Sequence, residues 1–128
     1  MTVIGTGNTP YDLVGPVANR DYFFDAPLAS LNQTENAGIT PRISPIASTS
    51  FTAAVGDLTL AADSVLSDEQ VNTLRSQISV AKERGIGARY WGAPAWPIRA
   101  RNMLWTTLVR EGVELLNADD LAAAAKYF

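Results

Sequence analysis

Residues 87–124, GARYWGAPAWPIRARNMLWTTLVREGVELLNADDLAAA, read strand, helix, strand, helix, with polar residues at the end of each strand. Residues 88–91 form a strand-prone run, and Pro94 to Pro97 restricts the backbone ahead of a helix over residues 98–110 that Gly112 ends. A last strand is expected over residues 113–117. Ala118-Asp119-Asp120 then opens a terminal helix, with two acids placed to complement the helix dipole. Strands that alternate with helices through linkers of a few residues favour parallel pairing, and an α/β barrel places its pocket at the strand ends this stretch decorates.

The same alternation extends toward the N-terminus. Residues 2–6 and the run Tyr22-Phe23-Phe24, ending at Asp25, read as strands, and residues 43–49 as a third that Pro45 weakens. A short helix is expected over residues 51–55. Residues 28–44, polar and without a clear period, are expected to be a surface loop. Ser67-Asp68-Glu69-Gln70 is a capping-box pattern, and Val71, Leu74, Ile78 and Ala81 follow at helical spacing until Gly85. That helix is expected to pack Val71, Leu74 and Ile78 on a sheet, to turn Arg75, Lys82, Glu83 and Arg84 to water, and to have no functional role. The whole is α/β with about four parallel strands.

At 128 residues, with 47% apolar and 18% charged residues, the chain has ordinary globular composition and room for one domain. Its net charge of -3, with basic and acidic residues interspersed, gives no polyanion-binding face, so no nucleic-acid partner is expected. No run approaches the roughly 20 apolar residues of a transmembrane segment, and Met1-Thr2-Val3-Ile4-Gly5 carries no basic region leading into an apolar stretch, so no targeting signal is expected. Asn32-Gln33-Thr34 is an acceptor sequon that would matter only in the secretory route; a chance match is the plainer reading.

The chain has no histidine and no cysteine. It therefore lacks the side chains most used as general base, soft metal ligand and thiol nucleophile. The segment Gly5-Thr6-Gly7-Asn8-Thr9-Pro10, with Asp25 closing the next strand, imitates a dinucleotide-binding fingerprint. Pro10 occupies the third glycine position, however, and Gly15-Pro16 breaks the helix that should hold the pyrophosphate. A glycine-rich turn after a barrel strand suits these residues better.

Strand alternation puts Arg89 and Trp91 on one face and Tyr90 on the other. If the shared face points into a barrel, Trp91 is a pocket wall at its mouth and Arg89 meets an anionic group. In the plainer alternative Trp91 and Trp96 fill the core, and Arg89 pairs with a buried acid such as Asp25. Asn117, with Asp25, is a further candidate for polar contact at the strand ends. Asp119 or Asp120 is an N-cap on the plain reading. Together with Asp25 they would offer carboxylates to a hard cation, although their spacing matches no known metal loop.

Five stretches carry a resemblance to a known family: TVIGTGNTPYDLV, RDYFFDAPL, Leu66-Ser67-Asp68-Glu69-Gln70-Val71, GARYWGAPAWPIRARNMLW and VREGVELLNADDL. Through them the chain resembles the C-terminal half of the fungal altered inheritance of mitochondria protein six family, grouped with phospholipase-C-like phosphodiesterases. The resemblance implies the second half of a (β/α)8 barrel like that of glycerophosphodiester phosphodiesterases, residues 1–128 forming one partial domain. It also implies a parent that is a phosphoric diester hydrolase of lipid or glycerophosphodiester metabolism. Such enzymes use two histidines and a divalent metal, magnesium or calcium, carried mainly by the first half.

This chain is accordingly expected to contain no catalytic residue or metal site and to be inactive alone. Its substrate contacts would be Trp91, Arg89, Asn117 and Asp25, toward a phosphodiester. Trp91 matches the aromatic that walls the superfamily's pocket, while Gly92 stands where an acidic residue often follows. A half barrel exposes two sheet edges, so the expected partner is the missing N-terminal half or a second copy. The alternative is a non-catalytic binding module from a truncated or degenerate gene.

Overall fold

The computed structural model describes residues 1–59 and 65–128. Its centre is a sheet of five parallel strands: β1 (Val3–Gly5), β2 (Tyr22–Pro27), β3 (Ile46–Ser50), β4 (Gly87–Trp91) and β5 (Leu115–Leu116). Their spatial order, β1-β2-β3-β4-β5, is their chain order. A dinucleotide-binding sheet reverses direction at a switch point and carries helices on both faces. Sequential order has no reversal, so the resemblance of the Gly5–Pro10 segment to that fingerprint is local. The sheet has five strands rather than about four, and its outer members are shorter than the sequence suggests.

The connecting helices are α1 (Tyr11–Val14), α2 (Phe51–Val55), α3 (Asp68–Glu83), α4 (Ile98–Arg110) and α5 (Leu121–Tyr127). Register and alternation divide the strand residues cleanly. Ala26, Ala47 and Ala88 are in register across β2, β3 and β4 and lie, with Tyr90, in one apolar core. Phe51 of α2, Leu74 and Ile78 of α3, and Leu104 and Leu108 of α4 complete it. Small side chains along the middle of the sheet let the helices approach closely. The opposite parity, including Asp25, Ser48, Arg89 and Trp91, faces away from this core.

Helix α3 starts with the capping box the sequence predicts. The Gln70 backbone N–H donates to Ser67 Oγ at 3.2 Å, and the Ser67 N–H to Gln70 Oε1 at 2.9 Å. Gln70 Nε2 also donates to the carbonyls of Val55 and Asp57, which ties the end of α2 to the start of α3. Arg75 meets Glu111 through two hydrogen bonds of 2.7 and 3.1 Å, joining α3 to the C-terminal end of α4. Arg84, expected in water, donates instead to the Asn36 carbonyl at 2.8 Å and anchors the long segment after β2.

That segment is not the plain surface loop its polarity suggests. It contains 3-10 turns at Leu28–Ser30 and Thr34–Asn36, and Leu28, Leu31, Ile39 and Ser44 are buried. Lone apolar residues among polar ones leave no period to read, although each fills a hole in the core. Ser44 also explains how a strand begins beside Pro45. Its hydroxyl accepts the Ala26 N–H at 2.9 Å and lies within hydrogen-bonding distance of the Phe24 and Ile46 carbonyls, so a side chain continues the β2–β3 seam. Strand β3 accordingly starts at Ile46, not residue 43.

A buried N–H left without its acceptor costs about 1–3 kcal/mol. Ser44→Ala is therefore expected to destabilise the fold by about that amount in urea unfolding, whereas Ser79→Ala, which removes a hydroxyl from an exposed bond to Glu83, should change stability by less than about 0.5 kcal/mol.

Candidate functional site

The outward face of the sheet becomes polar toward the C-terminal ends of its strands. Phe23 pairs with Ile4 and Asp25 with Ile46; beyond them Ser48 lies between Pro27 and Arg89, and Ser50 beside Trp91. A cleft of about 800 Å³ opens over this end. Its walls include Thr6 and Gly7, which follow β1, and Asn117 and Asp119, which follow β5. Residues beyond the first and last strands thus line one cavity, as they would on a sheet curved toward a barrel. Asp25, Arg89, Trp91 and Asn117, the four candidates from sequence, all line it.

Arg89 is held from two sides. Its Nη2 donates to Asn117 Oδ1 at 2.6 Å and its Nη1 to Ser48 Oγ at 3.4 Å. Among the described residues it makes no ion pair with Asp25, so the pairing of the plainer alternative gives way to two neutral acceptors and a longer-range attraction. An arginine held this way has N–H donors left for an anion. Trp91 is 47% exposed and Trp96 74%, so neither fills the core. The buried tryptophan is Trp105, with the Arg101 guanidinium 4.4 Å from its ring centre.

Gly92 is at φ +67°, where the chain turns out of β4 beside the cleft. A side chain there would be strained, which gives a physical reason for glycine. Gly5 is glycine for space: a Cβ would collide with the Tyr22 hydroxyl. The Asp120 carboxylate accepts the Ala123 N–H at 2.9 Å and lies 3.6 Å from Arg101, which makes it the cap of α5. It is thereby kept from joining Asp25 and Asp119 around a cation. Among the described residues, no three His, Cys, Asp or Glu side chains converge to hold a metal.

The Asp25 carboxyl is held above its ordinary range. Burial disfavours its charge, and this outweighs the opposing effects of the Ser48 hydroxyl, the Arg89 charge and the Ser48 backbone. Its Oδ1 is buried with no hydrogen-bond partner. The signal for Ser48 as a partner of Arg89 lies in the strand register, which is invisible before strands are paired.

The fold and the cleft together define a singly wound parallel α/β unit with a polar, arginine-centred site at its strand ends. Its relatives are fungal. The chain is 53% identical over 128 residues to the altered inheritance of mitochondria protein 6 homolog of Arthroderma benhamiae, a match covering all of this chain and 39% of that protein. It is 35% identical over 133 residues to altered inheritance of mitochondria protein 6 of Eremothecium gossypii, covering 99% of this chain and 34% of the relative. The counterpart in Lachancea thermotolerans is 33% identical over 141 residues, with 94% and 32% covered. The chain therefore spans between 32% and 39% of the length of these homologues. No protein-family model and no solved structure matches it.

A carboxyl whose folded pKa is raised binds its proton more tightly in the folded than in the unfolded state. Stability then falls as pH rises from the ordinary value of 3.8 through the raised folded value, and the full loss persists above it. Asp25→Asn is expected to raise the thermal midpoint at pH 7, with the gain shrinking toward zero below pH 3.8. A lower midpoint at pH 7 would mean that attraction to Arg89 outweighs burial.

Proposed function

We propose that this chain is the C-terminal part of a phospholipase-C-like (β/α)8 barrel whose complete form hydrolyses a phosphodiester in a lipid or glycerophospho compound. The observation that carries the reading is Arg89 at the centre of the strand-end cleft, held between Ser48 and Asn117, with Trp91 beside it. A guanidinium with spare donors suits phosphate oxygens, and an exposed indole supplies an apolar wall for the alcohol portion of a diester. This chain would bind and orient the substrate. It has no histidine to take or give a proton, so acid–base chemistry and the magnesium or calcium ion belong to the remainder of the barrel.

Sequential strand order supports the same reading. A (β/α)8 barrel is a singly wound sheet, and half of one is a curved sheet with its helices on one side, its inner face bare and two strands without outer neighbours. The alternative is a non-catalytic module in which the cleft only binds, and the absence of histidine from this chain favours it.

A chimera separates the two. This chain replaces the matching part of the Arthroderma benhamiae relative, and hydrolysis of bis(p-nitrophenyl) phosphate is followed with magnesium or calcium. The chimera should turn over and the isolated chain should not. Arg89→Ala should lower kcat/KM by about 100-fold and Trp91→Ala should raise KM by about 10-fold. A chimera that melts cooperatively but hydrolyses no diester would refute the enzyme reading in favour of the binding module.

A further inference from the structure

The strand-end cleft has a side chamber. Between the turn after β4 and the turn after β5 lies a cavity of about 200 Å³, and Asn117 and Asp119 line both it and the cleft. Arg89 donates to Asn117 at 2.6 Å, so a phosphate on its remaining donors sits beside a residue the two spaces share. Pockets that hold a whole ligand run upward from about 300 Å³. The chamber therefore suits one substituent of a larger molecule. A phosphodiester has two, and with Trp91 walling the cleft for one of them the chamber is left for the other.

The lining narrows what that substituent can be. Ala93, Pro94, Ala95 and Ala118 form much of it, and none has a hydrogen-bonding side chain. A polyol placed among them would leave hydroxyls without partners. The charged residues of the chamber are not equally free. Arg101 is spent: its Nε and Nη2 both donate to Asn102 Oδ1, its Nη1 is 3.6 Å from Asp120, and its guanidinium lies 4.4 Å from the Trp105 ring centre. Asp120 is spent in turn on Arg101 and on the Ala123 N–H.

Asp119 is exposed and, among the described residues, makes no hydrogen bond or ion pair. The chamber thus presents one uncompensated negative charge in a largely apolar lining. A second phosphate would be repelled there, and a primary ammonium would bring three N–H donors to a single carboxylate. A quaternary ammonium carries its charge beneath methyl groups and has no donor to satisfy. It matches both the charge and the walls.

We propose that the chamber holds a quaternary ammonium group, so that the ligand is a choline-type phosphodiester with its phosphate on Arg89 and its cation against Asp119. The proposal rests on the reading of the cleft as a phosphodiester site. Asp119 is then a specificity residue and takes no part in bond breaking.

The test is isothermal titration calorimetry of the full chain, which has no histidine and is expected to leave diesters intact. The probes are glycerophosphocholine, glycerophosphoethanolamine and glycerophosphoglycerol. The choline diester should bind at least about 5-fold tighter than either of the others, through one charge pair and the burial of its methyl groups. Asp119→Asn should abolish that preference and leave the affinity for glycerophosphoglycerol within about 2-fold. Its thermal midpoint should hold, since the carboxylate has no partner in the fold. Glu35→Gln, which removes an exposed acid that lines neither cavity, should keep the preference. Ala118→Leu, which adds bulk to the chamber, should weaken the choline diester about 10-fold and spare inorganic phosphate.

Three diesters bound equally, each lost in Arg89→Ala, would overturn the chamber's role and leave the phosphodiester reading in place. A preference for the ethanolamine diester, or a choline preference that survives Asp119→Asn, also overturns it. A chain that binds none of the three overturns the proposal together with this chain's part in substrate binding, whatever the chimera hydrolyses.

Discussion

A parallel sheet whose strands follow one another in chain order puts successive crossovers on the same side, and most features of this structure follow from that. One face carries a helical layer and a continuous apolar core; among the described residues the other has no layer of its own. The core face accepts this arrangement through its middle row of Ala26, Ala47 and Ala88, which brings Leu74, Ile78 and Leu104 down onto the sheet. Parallel sheets are found with both faces covered. Here the face opposite the helices carries the cleft that residues after β1 and β5 share.

The chemistry of the inner face is graded along the strands. Ile4, Phe23 and Ile46 lie at the earlier positions; Ser48, Ser50 and Arg89 lie at the later ones. Apolar packing at the base and polar contact at the mouth is how a closed barrel divides its interior between stability and ligand. Asp25 sits where the two regimes meet. It is buried enough to hold its proton more tightly, with Oδ1 unpartnered, yet near enough to Arg89 to feel its charge. A group in that position lowers stability at neutral pH.

The sequence made some of this legible and hid the rest for identifiable reasons. Helix α3 was readable because its cap and its period agree, and α4 because Pro97 and Gly112 bracket it. The pocket residues could be named because strand alternation placed Arg89 with Trp91 and strand ends placed Asp25 and Asn117. What could not be read depends on long-range pairing. Ser44 completing the β2–β3 seam, Arg84 reaching the Asn36 carbonyl, and Leu31 and Ile39 entering the core each join residues far apart in sequence, with no local pattern to announce them. The plainer alternative that put Trp96 in the core fails for a different reason. Bulk and apolarity favour burial on average, and only the position of its loop at the top of the sheet puts it in solvent.

The uncovered face of the sheet makes a specific demand. The inner sheet face and the free edges of β1 and β5 offer backbone groups and side chains at the spacing of a neighbouring strand, so another strand of the same kind satisfies them. The homologues are long enough to contain such strands, since this chain spans at most 39% of their length. Parallel sheets bury both faces, so this open face and these edges are where the structure is least satisfied by its own residues.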